Sequence, residues 1–150
     1  LDPWRIIGTS YLDELYTTLP GGPVTGQSAF VRKAAGQLSL FTRLIRKMIT
    51  RYGYVPDLAG VGNLILTYEG RLKLVDINNI VRVELTDQIA LDDKKYPACD
   101  VSIQVLHMIE TLLLGEEPSQ DDPLYSFFMT RDRRKKVKKL EKAFYDSLSE

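Results

Sequence analysis

The chain has 150 residues, 44% of them hydrophobic and 27% charged, a balance typical of a folded domain rather than a disordered or fibrous chain. Twenty basic and twenty acidic residues cancel to a formal net charge of zero, which argues against a dedicated nucleic-acid binder. The single cysteine, Cys99, excludes an internal disulfide and a thiolate zinc cluster. We therefore expect one domain over residues 1–150 with an ordinary hydrophobic core.

Two further expectations concern the location of the protein and the extent of the chain. No apolar stretch approaches the roughly 18 residues that span a bilayer, and the N-terminus lacks the basic and hydrophobic regions of a signal peptide. We therefore expect a cytoplasmic protein that does not bind membranes. Because the chain begins at Leu1 rather than at Met, we also expect it to be a piece of a longer protein.

The first third of the chain predicts a connector followed by a long helix. Residues 1–27 are mixed in character, with helical turns expected over 11–19 and a strong breaker at 19–23, so they form the connector. Apolar residues then recur at steps of three or four over 28–52, which predicts an amphipathic helix that Gly53 ends. The predicted buried face comprises Phe30, Ala34, Leu38, Phe41, Ile45, Met48 and Tyr52.

A β-hairpin is predicted next. Two apolar runs, 64–68 and 71–75, flank Gly70, whose conformational freedom suits the connecting turn. Ile80, Val81 and Val83 then indicate a further extended segment.

Helices are predicted for the last third of the chain. Pro97 opens a broadly hydrophobic helix that Gly115 ends, and this hydrophobicity indicates a buried central helix. Asp121 and Asp122 precede Pro123 as helix-start signals, and one final helix is expected to run to about Ser147. The predicted fold class is α+β, mainly α: a long helix, one β-hairpin, a buried central helix and, within 121–150, a basic amphipathic C-terminal helix.

Asn63 and Asp76 are the candidate metal ligands. They stand at the entrance and the exit of the predicted hairpin, thirteen residues apart, and a hairpin returns its ends to neighbouring positions. Amide and carboxylate oxygens are the ligands that Mg²⁺ prefers, and substrate phosphates and water can complete its octahedron. Taken singly, however, an Asn before a strand and an Asp after one are also common turn and cap residues.

The chain resembles the C-terminal lobe of the protein-kinase-like superfamily over residues 28–115. In that family a catalytic loop ends in a metal-binding Asn, a short hairpin follows, and a metal-binding Asp opens the activation segment. The sequences Asn63-Leu64-Ile65-Leu66 and Lys73-Leu74-Val75-Asp76-Ile77-Asn78 resemble these two pieces at the same separation. Asp100 and the residues after it resemble the start of the central helix, whose Asp is a structural anchor for the catalytic loop in the family.

The resemblance implies roles for individual residues. It implies that Asn63 and Asp76 bind Mg²⁺ and ATP, and that Asp57 is the catalytic base that orients an acceptor hydroxyl. The chain departs from the family pattern because Val55-Pro56-Asp57 replaces the usual triplet and because Asp57 precedes Asn63 by six residues instead of five. Asp57 after Pro56 is also a common way to begin a turn.

The function implied is that of a bacterial-type kinase-like protein. The family's Gly-rich loop and phosphate-binding Lys belong to an N-terminal lobe, and the residues before position 28 do not match that lobe. With an N-terminal lobe upstream, the resemblance implies ATP- and magnesium-dependent phosphoryl transfer to an unidentified small molecule or protein. Without one, it implies a degenerate pseudokinase.

A non-catalytic interaction module is the alternative function. Eight basic residues cluster within 131–142, and an apolar stripe of Val137, Leu140, Phe144 and Leu148 passes through them, as in an amphipathic helix that docks on the domain. This basic helix is then expected to meet a protein partner. A nucleic-acid site on the same helix is the weaker reading, because the net charge is zero. Cys99 and His107 are interpreted as packing residues, because two helical turns separate them.

Overall fold

Helices dominate the architecture of the protein. The computed structural model describes residues 1–6, 8–19, 26–75, 79–119 and 121–149. In these ranges five α-helices and one π-helix accompany two small antiparallel sheets. This arrangement confirms the predicted class, α+β and mainly α.

The N-terminal connector carries a short helix. A single 3₁₀ turn, Pro3–Arg5, is capped by Asp2, whose side chain accepts a hydrogen bond from the Trp4 amide. Helix α1, Tyr11–Thr18, follows and packs on the next helix of the chain. Residues 20–25, which include most of the predicted breaker, lie outside the described residues.

Helix α2, Gln27–Tyr52, is the predicted long helix. It ends at Gly53, which adopts the left-handed conformation with φ +69°. Its last turn runs past the core, so that Tyr52, predicted to be buried, is 68% exposed. The buried face comprises Phe30, Ala34, Leu38, Thr42 and Ile45.

The described residues form two sheets of two strands each, one of which is the predicted hairpin. Strand β1, Tyr54–Pro56, pairs with β4, Ile80–Arg82, which realises the extended segment predicted there. Strand β2, Leu64–Leu66, pairs with β3, Leu72–Leu74, in the predicted hairpin. Gly70 lies in the hairpin turn with φ +73°, a conformation that favours glycine. Both sheets bracket the loop between β1 and β2.

The predicted central helix is present and buried. Helix α3, Ala98–Met108, begins after Pro97 and contributes eight buried residues. It continues as a π-helix, Ile109–Leu113, in which the Leu114 amide donates to the Ile109 carbonyl at 2.9 Å. Gly115, with φ +67°, follows the end of the helix as expected.

The C-terminal segment forms two helices, so the prediction of one continuous helix is wrong. Helix α4, Pro123–Phe128, begins at the predicted cap Asp122, and helix α5 spans Arg131–Ser147. Between them Thr130 is extended, and its side chain accepts a hydrogen bond from the Arg133 amide at 3.4 Å. Phe128 at the end of α4 and Arg133 near the start of α5 are both buried on either side of this break.

The buried apolar residues form two clusters. The larger one joins α1, α2, the loop after β1, α3 and α4. The smaller one consists of Ala59, Tyr96, Ala98, Val101 and Val137, and it attaches α5 to the start of α3.

Each helix in the described part of the chain is too short or too polar to span a membrane.

Candidate functional site

The loop between β1 and β2 brings two predicted site residues together. Asp57 directly follows β1, and Asn63 directly precedes β2. The Asn63 side-chain nitrogen donates to the main-chain carbonyl of Asp57 at 3.0 Å, and the Asn63 amide donates to the Gly60 carbonyl at 3.0 Å. The loop therefore turns back on itself, and the two residues become neighbours.

Gly60 provides the space for this contact. A Cβ atom at position 60 would lie 2.6 Å from the side-chain nitrogen of Asn63 and 2.7 Å from its side-chain oxygen. Such distances are shorter than van der Waals contact, so any larger residue would displace Asn63. The sequence contains three glycines near this loop, but only the tertiary structure identifies the one that Asn63 needs.

Both carboxylate oxygens of Asp57 accept hydrogen bonds. Oδ1 accepts a hydrogen bond from the Ala59 amide at 2.9 Å, which is the turn-forming contact expected of an Asp in this position. Oδ2 accepts a longer bond, 3.4 Å, from the Asn79 side chain, and the Asp57 amide donates to the Asn79 carbonyl at 2.9 Å. The half-buried carboxylate thus joins the loop to the chain that leads into β4.

Asp76, the second predicted metal ligand, lies outside the described residues, as do Ile77 and Asn78. The preceding residue, Val75, donates its amide to the Asn63 carbonyl at 2.9 Å. The hairpin therefore brings the chain back to Asn63 one residue before position 76. Among the described residues, no group of three or more His, Cys, Asp or Glu side chains could hold a metal ion.

Asp100 joins the central helix to α5. Its carboxylate receives two hydrogen bonds from the Arg133 guanidinium, at 2.5 and 3.1 Å, and both side chains are buried. The same guanidinium donates to the Thr86 carbonyl at 2.7 Å. The 57–63 loop is held by another residue of the helix, because the Leu58 amide donates to the Ser102 hydroxyl at 3.1 Å.

Sequence reasoning missed a second polar cluster, around Arg46. Its guanidinium makes two hydrogen bonds of 2.7 Å to the Glu110 carboxylate and one of 2.6 Å to Asp122. The Tyr125 hydroxyl also donates to Glu110, and Arg46 lies over the Tyr125 ring. The available signal was Glu110, an acidic residue among the apolar residues at the end of the central helix, because buried carboxylates are almost always paired.

Two members of the cluster, Arg46 and Tyr125, have shifted pKa values. Hydrogen bonding to Glu110 raises the pKa of Arg46, which therefore stays charged. Burial and the Glu110 carboxylate raise the pKa of Tyr125, which therefore stays neutral. The cluster ties α2, the π-helix and the start of α4 together.

Cys99 and His107 lie in packed surroundings, as their interpretation as packing residues requires. Burial, followed by the nearby Asp100 carboxylate, raises the pKa of the Cys99 thiol to about 12, so the reactive thiolate is scarce at neutral pH. Burial lowers the pKa of His107, whose ring packs edge-on against Tyr125 at 4.6 Å between centroids.

The basic cluster lies on α5. Val137 is fully buried, Leu140 and Phe144 are half-buried, and Leu148 is 67% exposed. The predicted apolar stripe thus docks the helix over most of its length. Glu141 accepts a hydrogen bond from the Tyr96 hydroxyl at 2.8 Å on the same side.

Comparison with known proteins gives no family for this chain: no family model, no curated protein and no solved structure matches it.

Proposed function

We propose that this chain is a kinase-like domain that binds Mg²⁺ and ATP through Asn63 and Asp76, with Asp57 as the base that orients the acceptor hydroxyl. Magnesium, when bound, neutralises the charge of phosphate oxygens. Combined with an N-terminal lobe, the domain would transfer a phosphoryl group to a small molecule or a protein. Without that lobe it would be a pseudokinase that binds nucleotide only.

The contacts of Asn63 are the observation that supports this proposal most. Its main-chain carbonyl accepts a hydrogen bond from the amide of Val75, the residue before Asp76. Its side-chain nitrogen donates a hydrogen bond to the Asp57 carbonyl. With the nitrogen engaged, the amide oxygen is the side-chain atom offered to a cation. Oxygen ligands suit Mg²⁺, and one or two protein ligands suffice when phosphates supply the others.

The order of elements also supports the proposal. A long helix, a loop with Asp57 and Asn63, a hairpin and a buried central helix follow one another as the resemblance requires. The central helix also holds the loop, through Ser102. Asp100, for which the resemblance implies the anchoring role, accepts hydrogen bonds from Arg133, and Ser102 lies two residues further along the same helix.

Asp57 has one carboxylate oxygen suited to orient an acceptor hydroxyl. Oδ1 is committed to the Ala59 amide, whereas the bond from Asn79 to Oδ2 is long. A hydroxyl group could replace Asn79 at Oδ2 without breaking the turn. In this role Asp57 would accept the hydroxyl proton as the acceptor oxygen attacks the phosphoryl group.

Thermal unfolding with and without magnesium-ATP tests the proposal. A ligand at about 100 times its dissociation constant stabilises the folded state by about 2.7 kcal/mol, which corresponds to a rise of roughly 5–10 °C for a domain of this size. We expect this rise for the wild-type chain and its loss in Asp76→Asn, because the substitution removes the ligand charge and little volume.

Asp93→Asn is the matched control, because Asp93 is exposed and lies outside the loop and hairpin. Asp93→Asn should retain the full rise in melting temperature. A chelator should remove this rise from both the wild type and Asp93→Asn. An equal rise in Asp76→Asn, or no rise in the wild-type chain, would contradict the proposal.

A further inference from the structure

Helix α5 is attached to the domain along one side only. Arg133 donates a hydrogen bond to Asp100, and Val137 is fully buried. Glu141 accepts a hydrogen bond from the Tyr96 hydroxyl. These contacts face α3 and the segment that precedes it. The remaining sides of the helix are exposed.

The exposed sides carry an unneutralised charge. Residues 131–142 include eight basic and two acidic side chains, a local charge of +6, so the rest of the chain carries −6. Arg133 and Lys142 form salt bridges with Asp100 and Asp146. Six further cations have no salt bridge within the described ranges, and all six are exposed: Arg131, Arg134, Lys135, Lys136, Lys138 and Lys139.

The cations border a groove of about 1390 Å³ that has an apolar part. Trp4, Met129 and Tyr145 line it, and Trp4 and Tyr145 are 44% and 53% exposed. Pockets for small molecules measure roughly 300–1,000 Å³, so this groove suits a longer ligand. We name it the α5 groove.

Gln104 of the central helix adds a polar group to the α5 groove. Its side-chain nitrogen is shielded from solvent, and it has no acceptor among the described residues. A buried donor without an acceptor is costly, and an incoming carbonyl or carboxylate oxygen would satisfy it after a small rotation of the side chain.

We propose that the α5 groove binds an acidic, extended segment of a partner protein that carries an apolar side chain. The helix has 17 residues and is therefore about 25 Å long, which matches roughly eight residues of extended peptide. Acidic side chains of the segment pair with the exposed cations, and its apolar side chain packs against Trp4. This inference does not depend on the proposed nucleotide site.

A nucleic acid fits the same groove less well. Asp132 and Glu141 stand among the lining residues and repel a backbone that carries a phosphate at every step. A peptide can place uncharged residues opposite them. A long polyanion would also extend from the basic helix onto a molecule whose remaining charge is −6.

Trp4 makes the test direct, because it is the only tryptophan of the chain and lines the groove. The full chain is titrated with a synthetic peptide of about ten residues, Glu and Asp with one central Leu, while Trp4 emission is followed. We expect a saturable change, and an affinity at least about tenfold lower at high than at low salt. A peptide with Gln and Asn in place of the acids should not bind. An equal-length single-stranded oligonucleotide should bind more weakly.

Charge reversal tests the location. Lys135→Glu, Lys138→Glu and Lys139→Glu together should lower the peptide affinity at least about tenfold, since mutual attraction becomes repulsion. Lys33→Glu, Lys47→Glu and Arg51→Glu change the net charge equally on exposed positions of α2 and should change the affinity less than about twofold. Equal losses in both triple variants, no change of Trp4 emission with the acidic peptide, or tighter binding of the oligonucleotide would overturn the proposal.

Gln104→Leu provides a second test that a folding defect cannot imitate. The substitution removes the unsatisfied donor, so the melting temperature should be no lower than that of the wild type. The peptide affinity should nevertheless fall by about three- to tenfold, because the bound segment loses a hydrogen bond. Unchanged affinity would show that Gln104 takes no part in binding and would remove the polar contact from the proposal.

Discussion

Gly60 is the residue on which the geometry of the 57–63 loop depends most directly. The absence of a Cβ atom lets the Asn63 side chain lie against the main chain and reach the Asp57 carbonyl. Gly36, in the middle of α2, faces open space, since among the described residues no atom beyond its chain neighbours and the adjacent helix backbone lies within 4 Å of the position that its Cβ would occupy. A methyl group added at position 60 would therefore overlap Asn63, whereas one added at position 36 would point into open space.

Gly60→Ala should destabilise the fold by about 1–3 kcal/mol, because the added methyl group overlaps Asn63. It should also weaken magnesium-ATP binding if Asn63 is a metal ligand.

Gly36→Ala should stabilise the fold by about 0.5–1 kcal/mol, because alanine favours the helical conformation. Urea unfolding measures both changes, and a neutral result for Gly60→Ala would show that Asn63 can move without cost.

At the scale of the element, the start of α4 combines two interactions in one side chain. One carboxylate oxygen of Asp122 accepts the Leu124 amide at 2.9 Å, and the other accepts Arg46 at 2.6 Å. The first bond caps the helix, and the second joins it to α2. Helix α4 has only six residues, so these two contacts at its start strongly influence where the helix lies.

Substitution of Asp122 separates the two interactions. Asp122→Asn keeps a capping oxygen and loses the charge, whereas Asp122→Ala loses both. We expect Asp122→Ala to lower the free energy of unfolding by about 1–2 kcal/mol more than Asp122→Asn does, because Asn is as good a cap as Asp. Urea unfolding at neutral pH is the measurement. Equal losses would mean that the ion pair alone matters.

At the scale of the whole molecule, the Asp100–Arg133 pair connects the central helix to α5. The Arg133 guanidinium also lies over the rings of Phe127 and Phe128, at 4.6 and 4.9 Å, so it is enclosed by apolar groups. A buried pair of this kind depends on both partners, because a single remaining charge has lost its solvation without compensation.

Arg133→Met should therefore destabilise the protein by about 3–5 kcal/mol. Addition of Asp100→Leu to this variant should recover most of the loss, because an apolar pair replaces the isolated carboxylate. Arg71→Met is the control, since the Arg71–Glu69 pair is largely exposed and should contribute less than about 1 kcal/mol. A double variant no more stable than Arg133→Met would indicate that the pair has a role beyond mutual neutralisation.

Local patterns were sufficient for several parts of the fold. The 3.6-residue periodicity, Gly53 and Gly70 predicted α2 and the hairpin, and the broad hydrophobicity after Pro97 predicted the buried central helix. These features depend on neighbouring residues alone, so the sequence contains their causes. Tyr52 was misassigned because the helix extends beyond the core that its apolar stripe faces.

The candidate site could be predicted in its residue types but not in its contacts. Asn63 was recognised from its position at the entrance of the hairpin and Asp57 from the resemblance to the kinase-like family, and the structure makes the two residues neighbours. The support from Gly60 and Ser102 depends on loop geometry and on a contact across 44 residues, for which the sequence contains no local signal. The role of Asp76 stays a prediction.

The sequence by itself determined the helical character of the chain, the hairpin, and the charge contrast between α5 and the remainder. The tertiary structure decided the break between α4 and α5, the pairing of β1 with β4, and the burial of Arg46 and Arg133 against distant carboxylates. Periodicity and turn chemistry act between near neighbours in the chain, whereas desolvated charges and short strands are stable only when remote residues supply their partners.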